Sequence, residues 1–225
     1  MKKYYSYEIN PVLLNILATI LFIFLLAILP IAFNLSFTSN ITPLFFVLIF
    51  FWLILHEILH AVGFGIFKGT KWSNITLGML IEKGIFYCMC KQEISKANIL
   101  VAIAFPFFFI GIVTLIIAIF INSFLLYFLS IINIAGAIGD IVMFFAILSM
   151  PKEVKYLDID DQLTFTMISE KPLKEKYFSI VLKDSGKYNF EKMKSKDFTK
   201  IIISKPSKIF ILIILLITIM NFIII

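Results

Sequence analysis

Residues 44–67 read LFFVLIFFWLILHEILHAVGFGIF, and inside this apolar run stand His56, Glu57 and His60. The pattern is H-E-x-x-H, in which two imidazoles bind one zinc and the glutamate beside them serves as a base. A helix brings residues i and i+4 onto one face, about 6 Å apart along the axis. That is within reach of a single zinc with bonds of about 2.0–2.1 Å. Glu57 falls about 100° round the helix from His56, beside the metal rather than on it. From there it can take a proton from a water at the metal. His56 and His60 are the only histidines of the chain. Ionisable groups in an apolar stretch of membrane length are costly, so their default reading is functional.

The surrounding composition makes that stretch a membrane span. The chain has 225 residues, 61% of them hydrophobic, with a mean hydropathy of +1.02. A soluble domain is about 45–50% apolar. The formal charge is +6, and every basic residue is lysine. The lysines lie between apolar runs, where they set orientation, and do not read as a nucleic-acid footprint. Cys88 and Cys90 provide no disulfide framework. They read as reduced thiols on the cytoplasmic side.

Working outward, the expected fold is an α-helical polytopic membrane protein of about five spans. Residues 1–150 form the membrane-embedded core, with helices at about 12–33, 43–67, 97–121 and 124–150. Each is long enough to cross a bilayer, which takes about 20 residues. Pro43 suits a first helical turn, and Pro106 predicts a kink in the third helix. Residues 72–96 hold two short β-prone runs, Ile75 to Leu80 and Ile85 to Cys90, around a turn at Glu82-Lys83-Gly84. This hairpin either packs at the interface or presents a strand edge to an extended peptide. Residues 151–206 read as a small cytoplasmic α+β or β domain, with strands at 155–169 and 177–183 and a turn at Asp184-Ser185-Gly186. So small a unit is marginal alone and is expected to pack on the membrane part. Residues 207–225 form the last span.

With the N-terminus in the cytoplasm and five alternating helices, all 20 lysines fall inside, at the N-terminus, 68–96 and 152–208. The positive-inside rule asks for this bias. The expected location is therefore a cell membrane, with the N-terminus cytoplasmic and the C-terminus outside. The lack of arginine and the abundance of Ile, Lys, Phe and Asn suggest an AT-rich, bacterial genome.

A catalytic zinc takes three protein ligands and keeps one position open. With no third histidine, the ligand is a carboxylate or a thiolate. Apart from Glu57, the charged residue inside an expected span is Asp140, and Cys88 or Cys90 is the alternative. His56 precedes Lys68 by 12 residues and Asp140 precedes Lys152 by 12. Both helices run inward, so the two sites match in depth. Asn133, Gly136 and Asp140 fall on one stripe, and Gly136 and Gly139 are expected to admit a neighbouring helix closely. Asn133 reads either as a substrate or oxyanion contact or as a helix–helix hydrogen bond.

These residues resemble the site-2 protease family of intramembrane zinc metalloproteases. The run Asn133-x-x-Gly136-x-x-Gly139-Asp140 in a small five-helix layout is also similar to a bacterial family of membrane zincin peptidases. The resemblance covers about residues 43–150. It implies one zinc per chain on His56, His60 and Asp140, Glu57 as base, and substrate presented by residues 75–90. Site-2 proteases carry a glycine after the aspartate, whereas here Gly139 precedes it and Ile141 follows. The expected activity is hydrolysis of a membrane protein or peptide substrate near the cytoplasmic side of the lipid bilayer. Two other readings follow from the same residues. One is a non-enzymatic accessory or immunity-type protein with a closed, structural metal site. The other is a transporter using Glu57 and Asp140, which leaves the histidine pair without a purpose.

Overall fold

The computed structural model describes residues 2–34, 43–80, 85–158, 165–178 and 180–184. The turn expected at 82–84, most of the turn at 184–186, and the last span at 207–225 lie outside the described residues. Helix α1 (Pro11–Ala32) begins where the Asn10 side chain accepts from the backbone of Val12 and Leu13, with Pro11 in the first turn. An asparagine cap followed by proline is a standard helix start. Helix α2 (Pro43–Gly65) carries the H-E-x-x-H motif. Helix α3 (Lys96–Pro106) is capped by Ser95, which accepts from Asn98. It continues as a π-helical segment, Phe107–Val113, and then as α4 (Thr114–Phe120). The expected kink at Pro106 is thus a change of helix type within one span of 25 residues.

The fourth expected helix, 124–150, is broken. α5 (Phe124–Gly136) and α6 (Ile138–Leu148) meet at Ala137 with a bend of 47°. Among the described residues, three helices are long and apolar enough to cross a membrane, and the bent pair makes a fourth if it is one span. Their exposed faces are apolar, including Ile20, Ile23, Phe24 and Phe120, as lipid contact requires. Where helices touch, small residues do it: Ala61, Ala102, Ala118 and Ala146 are fully buried. The Tyr127 hydroxyl donates to the Leu25 carbonyl and ties α5 to α1. Lys96 Nζ donates to the carbonyls of Leu148 and Met150 at 2.8 and 2.7 Å. It caps the end of α6 from the start of α3, a favourable place for a cation.

Two sheets flank the helices. Strands β2 (Ile75–Leu80) and β3 (Ile85–Cys90) form the expected hairpin, paired from Ile75↔Cys90 to Leu80↔Ile85. The second sheet has six strands: β1 (Lys3–Glu8), β4 (Ile94–Ser95), β5 (Lys155–Asp158), β6 (Phe165–Ser169), β7 (Lys176–Tyr177) and β8 (Ile180–Asp184). Their order is β4-β5-β6-β1-β8-β7. The single strand expected over 155–169 is instead an antiparallel pair. The N-terminal residues, which precede the first expected helix, form an inner strand between β6 and β8. Tyr4 and Tyr5 supply the β-prone, half-buried character such a position favours.

This connectivity constrains the crossings. One sheet holds a strand from before α1, one from between α2 and α3, and several from after α6. The pair α1–α2 therefore leaves that side and returns, as does the pair from α3 to α6. Sheet and helices share one core, in which Tyr5, Tyr156, Met167 and Ile180 pack with Ile58, Ala102 and Ile147. The strands of 155–184 thus bury their inner face on the helices, as their small size requires.

Candidate metal centre

α2 presents His56 and His60 on one face, with Nε2 atoms 3.1 Å apart. The bend between α5 and α6 brings Asp140, in the first turn of α6, against both. Asp140 Oδ2 lies 3.2 Å from His56 Nε2 and 3.6 Å from His60 Nε2. Glu57 completes the group, its carboxylate and the two imidazoles each offering an atom within 4.8 Å of the others. The depth match between His56 and Asp140 thus corresponds to direct juxtaposition.

The outer nitrogens of both rings are also engaged. His56 Nδ1 donates to Asn133 Oδ1 at 2.8 Å, and His60 Nδ1 donates to the Ala102 carbonyl at 2.8 Å. Asn133 Nδ2 in turn donates to the Pro106 carbonyl at 3.2 Å. The Pro106 oxygen can only accept, which sets the amide orientation and leaves Asn133 Oδ1 as an acceptor. Each neutral ring therefore carries its proton on Nδ1 and turns a bare Nε2 inward. Two nitrogen lone pairs and a carboxylate oxygen then face one another with no proton to share. Ligands of a tetrahedral zinc stand about 3.3–3.4 Å apart, and the observed triangle of 3.1, 3.2 and 3.6 Å fits one such face. The donor set and its spacing fit zinc.

Asn133 differs from one sequence expectation. It is buried, and both ends of its amide are taken by His56 and Pro106. It is not among the residues lining the cavity beside the site, and its hydrogen bonds are those of the helix–helix reading, with His56 on α2 as one partner. Gly136 and Gly139 also differ. A Cβ at either would meet nothing within 4 Å, and both line the cavity. They keep space open, and do not admit a helix. The close approach is at Gly63, where a Cβ would stand 2.6 Å from Ala102 Cα.

The cavity has a volume of about 370 Å³. His56, Glu57, His60 and Asp140 form one wall, the β3 residues Phe86 to Met89 another, and Tyr7, Asp158 and Phe165 of the larger sheet a third. The backbone N–H of Cys88 faces the Glu57 carboxylate, and that of Cys90 donates to Asp158 Oδ2. Burial pushes Asp158 up to about 7 from its ordinary 3.8, against the Cys90 N–H that holds its carboxylate. Burial likewise raises the Tyr7 hydroxyl, helped by the charges of Asp158 and Asp140. It lifts the Cys88 thiol well above its usual range and Cys90 to about 11. Such thiols stay protonated and fill space as small apolar groups. Among the described residues, the group with ligand atoms within 4.8 Å of one another is His56, Glu57 and His60, without a cysteine and without Asp140, whose carboxylate approaches the two histidines alone.

Tyr7 and Asp158 are site residues that the sequence does not single out. Tyr7 lies ahead of the first expected helix and Asp158 within the strand expected over 155–169, and neither belongs to a motif. Only the sheet brings them to the cavity.

Residues 49–155 match the model of a family described as "Putative zincin peptidase". The matched segment runs from within α2 to the first residue of β5. It takes in His56, Glu57, His60, Asn133 and Asp140, and leaves out Tyr7 and Asp158. No curated protein and no solved structure matches the chain.

Proposed function

We propose that this chain is a zinc metallopeptidase of a cell membrane, hydrolysing peptide bonds of membrane-associated polypeptides near the cytoplasmic face. The observation that carries the reading is the convergence of His56 Nε2, His60 Nε2 and Asp140 Oδ2 beside Glu57 at the wall of a cavity. The zincin family match over the same residues supports it. His56, His60 and Asp140 would hold the metal. Three protein donors leave a tetrahedral zinc one position short, the arrangement of catalytic sites. When bound, zinc supplies Lewis acidity, lowering the pKa of water and polarising a carbonyl.

The chain's own residues do the rest. Glu57 takes the proton of the attacking water and returns it to the leaving amine. Asn133 and the Ala102 carbonyl hold the rings in register, as outer partners of ligating histidines do. The wall formed by β3 lies beside Glu57, where an extended peptide can pair with a strand edge. A helical substrate must unwind first, because its carbonyls are otherwise bonded within the helix. The lysine distribution predicts that this end of the protein faces the cytoplasm, where water would reach the site. The intramembrane site-2 type and the position of Asp140 as third ligand belong to this proposal.

The non-enzymatic alternative needs a fourth protein ligand, and Cys88 lines the cavity as its candidate. Elemental analysis of detergent-purified protein tests both readings. The expected result is about one zinc per chain, mostly lost in Asp140→Ala and retained in Cys88→Ser. A folded wild type without metal overturns the peptidase reading, and loss of zinc in Cys88→Ser favours the closed site.

A further inference from the structure

α3 reaches Pro106 with one acceptor unclaimed by its own helix. In an α-helix the carbonyl of residue i accepts from the N–H of residue i+4. For Ala102 that residue is Pro106, which has no N–H. The next donor along, the Phe107 N–H, goes to the Ala104 carbonyl. The Ala102 carbonyl is thus left to His60 Nδ1, which it meets at 2.8 Å. Ala102 is fully buried, where a carbonyl needs a partner, and Gly63 lets its backbone approach α2.

The same proline serves the other histidine. Its carbonyl accepts from Asn133 Nδ2 at 3.2 Å, and Asn133 Oδ1 accepts from His56 Nδ1 at 2.8 Å. The π-helical segment that follows Pro106 places Gly111 beside this amide, where a Cβ would come within 3.3 Å of Asn133 Nδ2. A larger residue there would press on Asn133.

We infer that Pro106 is a positioning residue for both metal-binding histidines, freeing the Ala102 carbonyl for His60 and anchoring Asn133 for His56. This rests on His56 and His60 as zinc ligands. It assigns the helix break a chemical purpose: the backbone defect is the outer support of the metal site. Pro106→Ala restores an N–H aimed at the Ala102 carbonyl, in competition with His60.

The test uses full-length protein in detergent. Zinc affinity is measured by chelator competition, and thermal midpoint on the metal-free form. With two histidines in the chain, nitrogen NMR of histidine-labelled protein reads each tautomer separately. Outer-shell changes cost roughly 10–100-fold in metal affinity. The expected result for Pro106→Ala is a loss of that size with a metal-free midpoint no lower than wild type, because proline is removed from a helix interior. A merely structural proline would lower both together or neither. At a pH where the ring is neutral, the His60 signal in metal-free wild type should show the Nδ1–H form and lose it in the variant. Unchanged zinc affinity in Pro106→Ala overturns the role of Pro106 alone. An Nε2–H tautomer for His60 in wild type overturns it without any variant. Absence of zinc from wild type overturns the metallopeptidase reading and this inference together.

Discussion

His56 is held at Nδ1 by Asn133 on one side of the α5–α6 break, and its bare Nε2 faces Asp140 on the other. Holding Nδ1 sets the tautomer and the plane of the imidazole, as an outer partner of a ligating histidine does. Glu57 stands one residue on, free of the ligand triangle. Glu57→Gln is expected to keep zinc and to lose about 10²–10⁴-fold in peptide hydrolysis, the usual range for a general base. A fluorogenic membrane-peptide assay beside a zinc determination checks this. Asp158 permits a second prediction. Its folded-state pKa, about 7, lies above the ordinary 3.8. The metal-free folded protein therefore holds a proton that the unfolded chain has released between those values. Its stability falls as pH rises through that window, and the full cost is felt above about 7. Asp158→Asn removes this cost while its side-chain oxygen still accepts from Cys90. Compared with wild type by thermal unfolding of metal-free protein, the variant should gain at pH 8 and not at pH 4. An equal difference at both values would contradict it.

Elements meet at this site through backbone features more than through side-chain bulk. α2 and α3 approach at Gly63 and Ala102, close enough that His60 bonds to a main-chain oxygen. Gly63→Ala would improve helix propensity by about 1 kcal/mol. Its Cβ, however, would stand 2.6 Å from Ala102 Cα, so α3 must shift. Overpacking of this kind costs about 1–3 kcal/mol. The variant is expected to melt lower and to bind zinc more weakly, since His60 loses its acceptor. Thermal unfolding and chelator competition read the two effects. The H-E-x-x-H helix and the β2–β3 hairpin were legible because each depends on local spacing. The break at Ala137 was not. The run 124–150 is uniformly apolar, and its glycines suit close helix packing as well as an open cavity wall.

At the scale of the whole molecule, the six-stranded sheet gathers strands from three places in the chain. It puts β1 and the strands β5 to β8 together beside the helices, and the lysines predict that this side is cytoplasmic. Single cysteines placed at Lys174 and Asn122, in a protein with Cys88 and Cys90 changed to serine, test the arrangement. A membrane-impermeant thiol reagent applied to intact cells should label position 122 and spare 174. The reverse pattern would invert the orientation. Removal of residues 2–8 takes an inner strand from between β6 and β8 and removes Tyr5 from the shared core. Loss of a buried aromatic alone costs about 3–5 kcal/mol, so the truncated protein should melt well below the full chain.

Sequence alone pointed to a strongly apolar helical chain, the helices α1 and α2 and the run from α3 to α4, the histidine pair with its glutamate, and the clustering of the lysines. Each of these follows from apolar length, from i, i+4 spacing or from charge counted along the chain, and needs no knowledge of what touches what. It also narrowed the expected third donor to a carboxylate or a cysteine, because the chain has no third histidine, and matched depth on two helices running the same way favoured Asp140. Tertiary structure decided what surrounds that group. The Ala102 carbonyl meets His60 only because Pro106 frees it and Gly63 lets two backbones approach. Asp158 and Tyr7 reach the cavity only because strands from the two ends of the described chain pair beside β3. Such contacts join residues far apart in sequence and depend on backbone atoms that every residue carries, so no local pattern announces them.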